Sequence, residues 1–231
     1  MSDFGFRTDG QYAVGNRSQE TILATNKVLR NTYLLLSMTL LFSVVTAVIG
    51  MAVVLPPMMY FVLMLASFGL LFWVHASANS AMGIVAVFAF TGLMGFTLGP
   101  MLNFYLTAIP DGGAIIMQAL GGTGLIFLCL SGYVLTTRKD FSFMSGFLMT
   151  GLVVLLVAMI ANIFLAMPAF SLVISAIAVM VFSGLILFDT SRIIHGGETN
   201  YIRATVSLYL DIYNLFIHLL RILAVLSGNR D

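Results

Sequence analysis

The sequence predicts an all-α integral membrane protein of seven transmembrane helices, on three observations. Charged residues make up only 8% of the 231 residues and hydrophobic ones 60%, with a mean hydropathy of +1.06. A soluble domain is roughly 45 to 50% apolar and about 25% charged. No charged side chain occurs from Asn31 to Pro110, nor from Phe141 to Phe188, and about 20 successive apolar residues are enough to cross a bilayer. Turn-forming residues then divide these stretches into segments of spanning length.

The first span is expected at Thr32 to Val54. A cleavable signal would place a short apolar core near the start, but Ser2 to Arg30 is polar, so the first helix is expected to stay as a signal anchor. Met1 to Gly15 mixes Gly, Asp, Arg and Gln with isolated aromatics and reads as disordered, with a short helix leading in from Ser18. The expected organisation is therefore a flexible cytoplasmic tail over 1–30, a seven-helix domain over 31–227 and a short tail over 228–231. Pro56-Pro57 separates the first span from the second, Met58 to Val74. The third, Met82 to Leu106, contains Gly92, Gly95 and Gly99; Gly95 and Gly99 have the G-x-x-x-G spacing that lets membrane helices approach closely. Pro100 follows them, and its ring is expected to free a carbonyl and kink the helix. After Pro110-Asp111-Gly112-Gly113 comes Ala114 to Leu135, then Phe143 to Ala166, and after Pro168 a sixth span, Ala169 to Ile194. The seventh is Arg203 to Leu226. Tyr33, Tyr60, Trp73, Tyr105 and Tyr133 fall near span ends, where amphipathic rings prefer to lie.

Lysines and arginines set the orientation. Arg7, Arg17, Lys27, Arg30, Arg138, Lys139, Arg192 and Arg203 share one side, and only Arg221 and Arg230 lie toward the other. The positive-inside rule then puts the N-terminus in the cytoplasm and the C-terminus outside. A net charge of +1 offers no basic field for nucleic acid. The single cysteine, Cys129, excludes an internal disulfide and a cysteine metal cluster.

The seventh span is the polar one, and its polarity is ordered. Ser207, Asp211, Asn214, His218 and Arg221 follow at steps of four, three, four and three, so they share one helical face. Such a face must turn toward protein or water, which places this span at the centre with the other six around it. Asp211 is eight residues past Arg203 and Asp189 six before His195; at ~1.5 Å per residue both lie about 10 Å from the same membrane face. Two carboxylates meeting across adjacent antiparallel helices, in a poorly solvated place, cannot both ionise easily and share a proton. With the proton they tie the helices together. Without it they repel or attract a cation such as Ca2+, a weak metal site at Asp189 and Asp211. This points to a pH-sensitive cation pathway whose direction of gating stays open. The alternative is local neutralisation for packing alone, with Arg192 three residues from Asp189 as charge partner and Ser207 and Asn214 flanking Asp211.

Enzyme readings fare worse. Zinc needs convergent ligands, but His75 and His195 fall at one membrane face while His218 lies roughly 10 Å beyond Asp211 along its helix. Met144-Ser145-Gly146 lacks the preceding glycine of G-x-S-G, and no histidine is placed to serve it. No enzyme and no resident cofactor are expected.

Three stretches resemble the Bax inhibitor-1 family: Phe90-Thr91-Gly92-Leu93-Met94-Gly95-Phe96-Thr97-Leu98-Gly99-Pro100, Arg138-Lys139-Asp140-Phe141-Ser142, and Phe188-Asp189-Thr190 with Tyr209-Leu210-Asp211. Val28-Leu29-Arg30-Asn31-Thr32-Tyr33 and the run from His195 to Thr205 look most like its proteobacterial inner-membrane branch. The resemblance implies a central seventh helix within two three-helix layers, a paired-aspartate sensor at Asp189 and Asp211, and a pH-sensitive calcium leak. Channel-type members carry an arginine in the second span, and Met58 to Val74 has none, which puts any lock using it in doubt. For the inner-membrane branch the resemblance implies binding to the membrane protease FtsH, as slow substrate and modulator, with Ser2 to Arg30 as the handle.

Overall fold

A computed structural model describes residues 9–228 of the chain, with the side chains of residues 23–56 and 58–228. The expectations for residues 1–8 and 229–231, Arg7 and Arg230 included, lie outside the described residues. Helix α1 runs over Asp9–Met51, α2 over Pro57–Ser77, α3 over Met82–Ala108 and α4 over Gly112–Thr137. A 3-10 turn at Ser142–Met144 leads into α5, Ser145–Leu165, followed by α6, Pro168–Ile194, and α7, Tyr201–Gly228.

All seven helices are long and apolar enough to cross a membrane, the first over Leu23–Met51. The expected start at Thr32 falls within this helix. Lys27 and Arg30, which precede the expected span, are both exposed; long basic side chains at a helix end can lay their stems on apolar surface with the charge in water. The helix expected from Ser18 is continuous with the membrane segment.

Packing groups α1, α3 and α2 in one layer with α3 in the middle, and α4, α6 and α5 in the other with α6 in the middle. Helix α7 lies between the layers and packs on α1, α2, α3, α4 and α6. It contributes to all three core clusters: Leu208 and Tyr209 in one, Leu215 in the second, Phe216 and Leu220 in the third. The expectation that six helices surround it needs one correction, because α5 packs on α6 and the 3-10 turn and not on α7. Helix α5 buries only Leu148 and Leu155. Leu148 sits over Gly184 of α6, where a Cβ would press on its methyl at 2.7 Å. With no charged side chain on α5, nothing forces its remaining surface out of lipid.

Helices α1 and α3 meet backbone to backbone. A Cβ on Gly95 would collide with the Ser43 carbonyl, one on Gly99 with the backbone of Gly50, and one on Gly50 with the Phe96 carbonyl. Phe96 is four residues before Pro100, so its carbonyl is the one that the proline leaves without a helical N–H. Helix α3 continues through Pro100, and the freed carbonyl faces the glycine of α1. The glycines thus let two backbones touch where lipid offers no hydrophobic drive for association.

Asn200 fixes the start of α7. Its Oδ1 accepts from the backbone N–H of Ile202 at 2.9 Å and of Arg203 at 3.2 Å, and its Nδ2 donates to Ala78 O at 2.9 Å and Asn79 Oδ1 at 2.8 Å. One side chain therefore caps α7 and ties it to the α2–α3 turn.

Gly99→Leu is expected to destabilise the bundle by about 1–3 kcal/mol through overpacking, read as a lower melting temperature in detergent. Gly69→Leu, where a Cβ meets nothing within 4 Å, should stay within about 0.5 kcal/mol of the parent. Asn200→Ala is expected to cost about 1 kcal/mol for the lost cap, measured as thermal unfolding.

Candidate functional site

The short connection over 195–200 makes α6 and α7 antiparallel neighbours and brings Asp189 and Asp211 together. The two carboxyls lie close enough to act on one another electrostatically. Asp211 is buried at 5% exposure, and the Asp189 side chain is 13% exposed. Asp211 Oδ2 is buried with no hydrogen-bond partner among the described residues. An ionised carboxylate only accepts hydrogen bonds, so two carboxyl groups attract one another only when one of them carries a proton. Two full charges 4 Å apart repel by about 4 kcal/mol at an effective dielectric of about 20. Two carboxyls in contact are favourable only with a proton shared between them or a cation between the oxygens.

Asp189 also has Arg192. Its Nη1 lies 3.6 Å from Asp189 Oδ1 and its Nη2 3.8 Å from Glu198 Oε2, with a further 3.5 Å bond from Nη2 to Gly197 O. The guanidinium rests 5.6 Å from the centre of the Phe188 ring. Arg192 thus links Asp189 to the α6–α7 turn, though at 36% exposure such pairs are weak and screened. The local-neutralisation alternative accounts for Asp189 in this way but leaves Asp211 Oδ2 unaccounted for. Asn214 donates instead to Leu210 O, at 2.8 Å.

The polar face of α7 divides along its length. Asp211 and His218 are buried, Ser207 and Asn214 are half-buried, and Arg221 is exposed. His218 Nδ1 lies 3.3 Å from Ser175 Oγ, and its ring stacks on Phe182 with centroids 6.2 Å apart. Among the described residues no three His, Cys, Asp or Glu side chains gather as a metal site. Ca2+ takes six to eight oxygens as a rule, so a carboxyl pair suits a weakly held or passing cation better than a resident one.

Sequence reasoning missed the hydroxyls around the pair. Tyr209 OH lies 2.7 Å from Ser43 Oγ and 3.2 Å from the Thr91 carbonyl, to which it donates, joining α7 to α1 and α3. Tyr33, Ser131 and Thr190 form a chain across α1, α4 and α6, with 3.2 Å between the last two. Thr205 Oγ1 reaches Thr32 O at 3.3 Å. The signal available was that these hydroxyls lie inside apolar spans, where each needs a partner. Tyr33 looked like an interfacial anchor because it sits near a span end.

Outside the spans, Asp140 takes bonds from the hydroxyl and the backbone N–H of Ser142, which hold its carboxyl below the usual range. The turn into α5 therefore keeps its negative charge into mildly acidic conditions.

Asp211→Asn is expected to keep the fold within about 1 kcal/mol, because the amide supplies the donor that the shared proton supplies in the parent. Asp211→Ala should cost more, since it leaves Asp189 without that partner and opens a void. Thermal unfolding of both variants at one pH checks the order.

A family model described as "Inhibitor of apoptosis-promoting Bax1" matches residues 25–229. The chain is 53% identical over 212 residues, 92% of its length and 96% of the relative's, to the "Modulator of FtsH protease YccA" of Escherichia coli strain K12. It matches the "Inner membrane protein YccA" of Escherichia coli O6:H1 at the same identity and coverage. An uncharacterised membrane protein of Vibrio cholerae is 54% identical over 213 residues, 92% of this chain and 95% of that one.

Proposed function

Because the chain belongs to the Bax inhibitor-1 family and matches YccA over nearly its whole length, we propose that it is a regulator and not an enzyme: a multi-pass inner-membrane protein that modulates an FtsH-type membrane protease. The observation that carries this is the 53% identity to a relative named for that role, over 96% of the relative. The N-terminal segment is the handle for the protease, on the cytoplasmic side that the lysines and arginines favour.

Deleting residues 2–20 is expected to lower co-purification with the protease and its effect on degradation of a membrane substrate at least several-fold, with folding in detergent unchanged. Unaltered binding would contradict the handle.

A second activity is favoured by the Asp189–Asp211 contact and the orphaned Asp211 Oδ2. The pair acts as a proton-dependent latch on a cation leak. While one proton is shared, α6 and α7 are tied at mid-membrane; when it leaves, the charges repel or admit a cation such as Ca2+. Calcium flux into liposomes holding the purified chain, followed from pH 5 to 8, should depend on pH in the parent, and Asp189→Asn or Asp211→Asn should flatten that dependence. The tail deletion should leave the flux alone. Flux no greater than that of empty liposomes would remove the leak and leave the protease role standing.

A further inference from the structure

A cavity of about 200 Å3 opens on the arginine-bearing membrane face, between α1 and the ends of α4 and α6. Thr25, Asn26 and Leu29 of α1 form one wall, and Leu135, Arg138 and His195 the other. It lies apart from the carboxyl pair, and neither the proposed protease contact nor the leak uses it. The volume is several times the roughly 30 Å3 share of one water molecule.

Its chemistry is that of an anion site at the water–lipid boundary. Arg138 follows α4 in the left-handed region, with φ 51°, and its backbone N–H donates to Val134 O at 2.8 Å. That conformation directs the residue away from the helix path. The ion pairs among the described residues both belong to Arg192, so the Arg138 guanidinium has no carboxylate partner there. His195 donates through Nδ1 to the Ser191 carbonyl at 2.9 Å, with the Ser191 hydroxyl at 3.3 Å; among the described residues Nε2 has no partner, and it offers an anion an N–H when the ring carries its second proton. Lys27, Arg30 and Lys139 lie within one residue of lining positions in sequence and add positive charge to the same face. Two features oppose an anion, and both are weakened. The C-terminal carbonyls of α4 and α6 carry partial negative charge, but those of Val134, Ser191, Ile193 and Arg192 already accept from Arg138, His195, Gly196 and Gly197. Asp140 acts electrostatically on His195, but it is exposed and bound to Ser142.

We propose that this cavity binds a phosphoryl anion, the phosphodiester headgroup of an anionic phospholipid, between Arg138, His195 and Asn26. Leu29 and Leu135 then meet the start of the acyl region. Basic pockets between transmembrane helices on the cytoplasmic side suit such headgroups, because each Lys or Arg near the surface attracts anionic lipid.

The test titrates the full-length chain in detergent with phosphatidylglycerol, phosphatidylcholine or inorganic phosphate and counts bound ligand by native mass spectrometry. The parent should retain phosphatidylglycerol over phosphatidylcholine. Arg138→Asn removes the charge but keeps a residue tolerant of the left-handed backbone, and should lower retention roughly fivefold. Leu135→Trp, which fills the cavity and leaves every charge, should lower it too, and it decides the matter if Arg138→Asn fails to fold. Arg203→Gln, on the same membrane face but outside the cavity, should change nothing. Inorganic phosphate bound with the same variant dependence, and no preference among lipids, would keep the phosphoryl site and make its ligand soluble. No lipid preference and no phosphate binding would overturn the proposal, and so would equal losses in Arg203→Gln and Arg138→Asn, which mark diffuse attraction.

Discussion

A carboxyl group buried at the middle of a membrane helix sets the terms for this fold. Asp211 cannot face lipid, because an ionisable group at the centre of a spanning helix costs on the order of 2.5–3.5 kcal/mol even on insertion scales. Helix α7 must therefore be enclosed, and it is: one layer of helices covers it on one side, and α4 and α6 cover it on the other. Asp189 answers Asp211 because the connection between α6 and α7 is too short to allow anything but antiparallel neighbours. The two residues match in depth, so the helices cannot slide without separating the pair.

The other helices are held by means that suit lipid. Association inside a bilayer gains little from burying apolar surface, so close backbone approach and hydrogen bonds carry it. Gly50, Gly95 and Gly99 supply the first between α1 and α3. Tyr209, Ser131, Thr190 and Thr205 supply the second around α7. Helix α5 has neither device toward α7, and it lies at the periphery against α6. These interactions also bear on motion. Tyr209 joins α7 to both α1 and α3, and the pair proposed to loosen when a proton leaves is α6 with α7.

Much of this was legible in the sequence, for physical reasons. Seven spans follow from charge-free stretches and turn residues, and the central place of α7 follows from the spacing of Ser207, Asp211, Asn214 and His218, since no lipid-facing helix carries such a row. The aspartate pair was found by counting residues from a common membrane face. What was not legible is instructive. Periodicity puts Arg221 on the row, yet it ends exposed where the helix leaves the bundle. The hydroxyl network was hidden because Ser, Thr and Tyr are common in membrane helices, and only tertiary contact separates those that cap their own carbonyls from those that bridge. The cavity at Arg138 was invisible for a similar reason: its walls come from three helices far apart in sequence.

Regulation of a protease and passage of ions need not be separate properties of such a bundle. The proposed latch between α6 and α7 would act on the turn over 195–200, where Arg192, Glu198 and Asn200 are linked. The proposed latch rests on Asp189 and Asp211 holding one proton between them. Infrared absorption of the carboxyl C=O stretch near neutral pH tests it most directly. A shared proton predicts a protonated-carboxyl band in the parent that disappears in Asp211→Asn, where Asp189 keeps Arg192, and that shifts in frequency in Asp189→Asn, where Asp211 stays buried. A parent spectrum with no such band, both carboxyls being ionised, would contradict it.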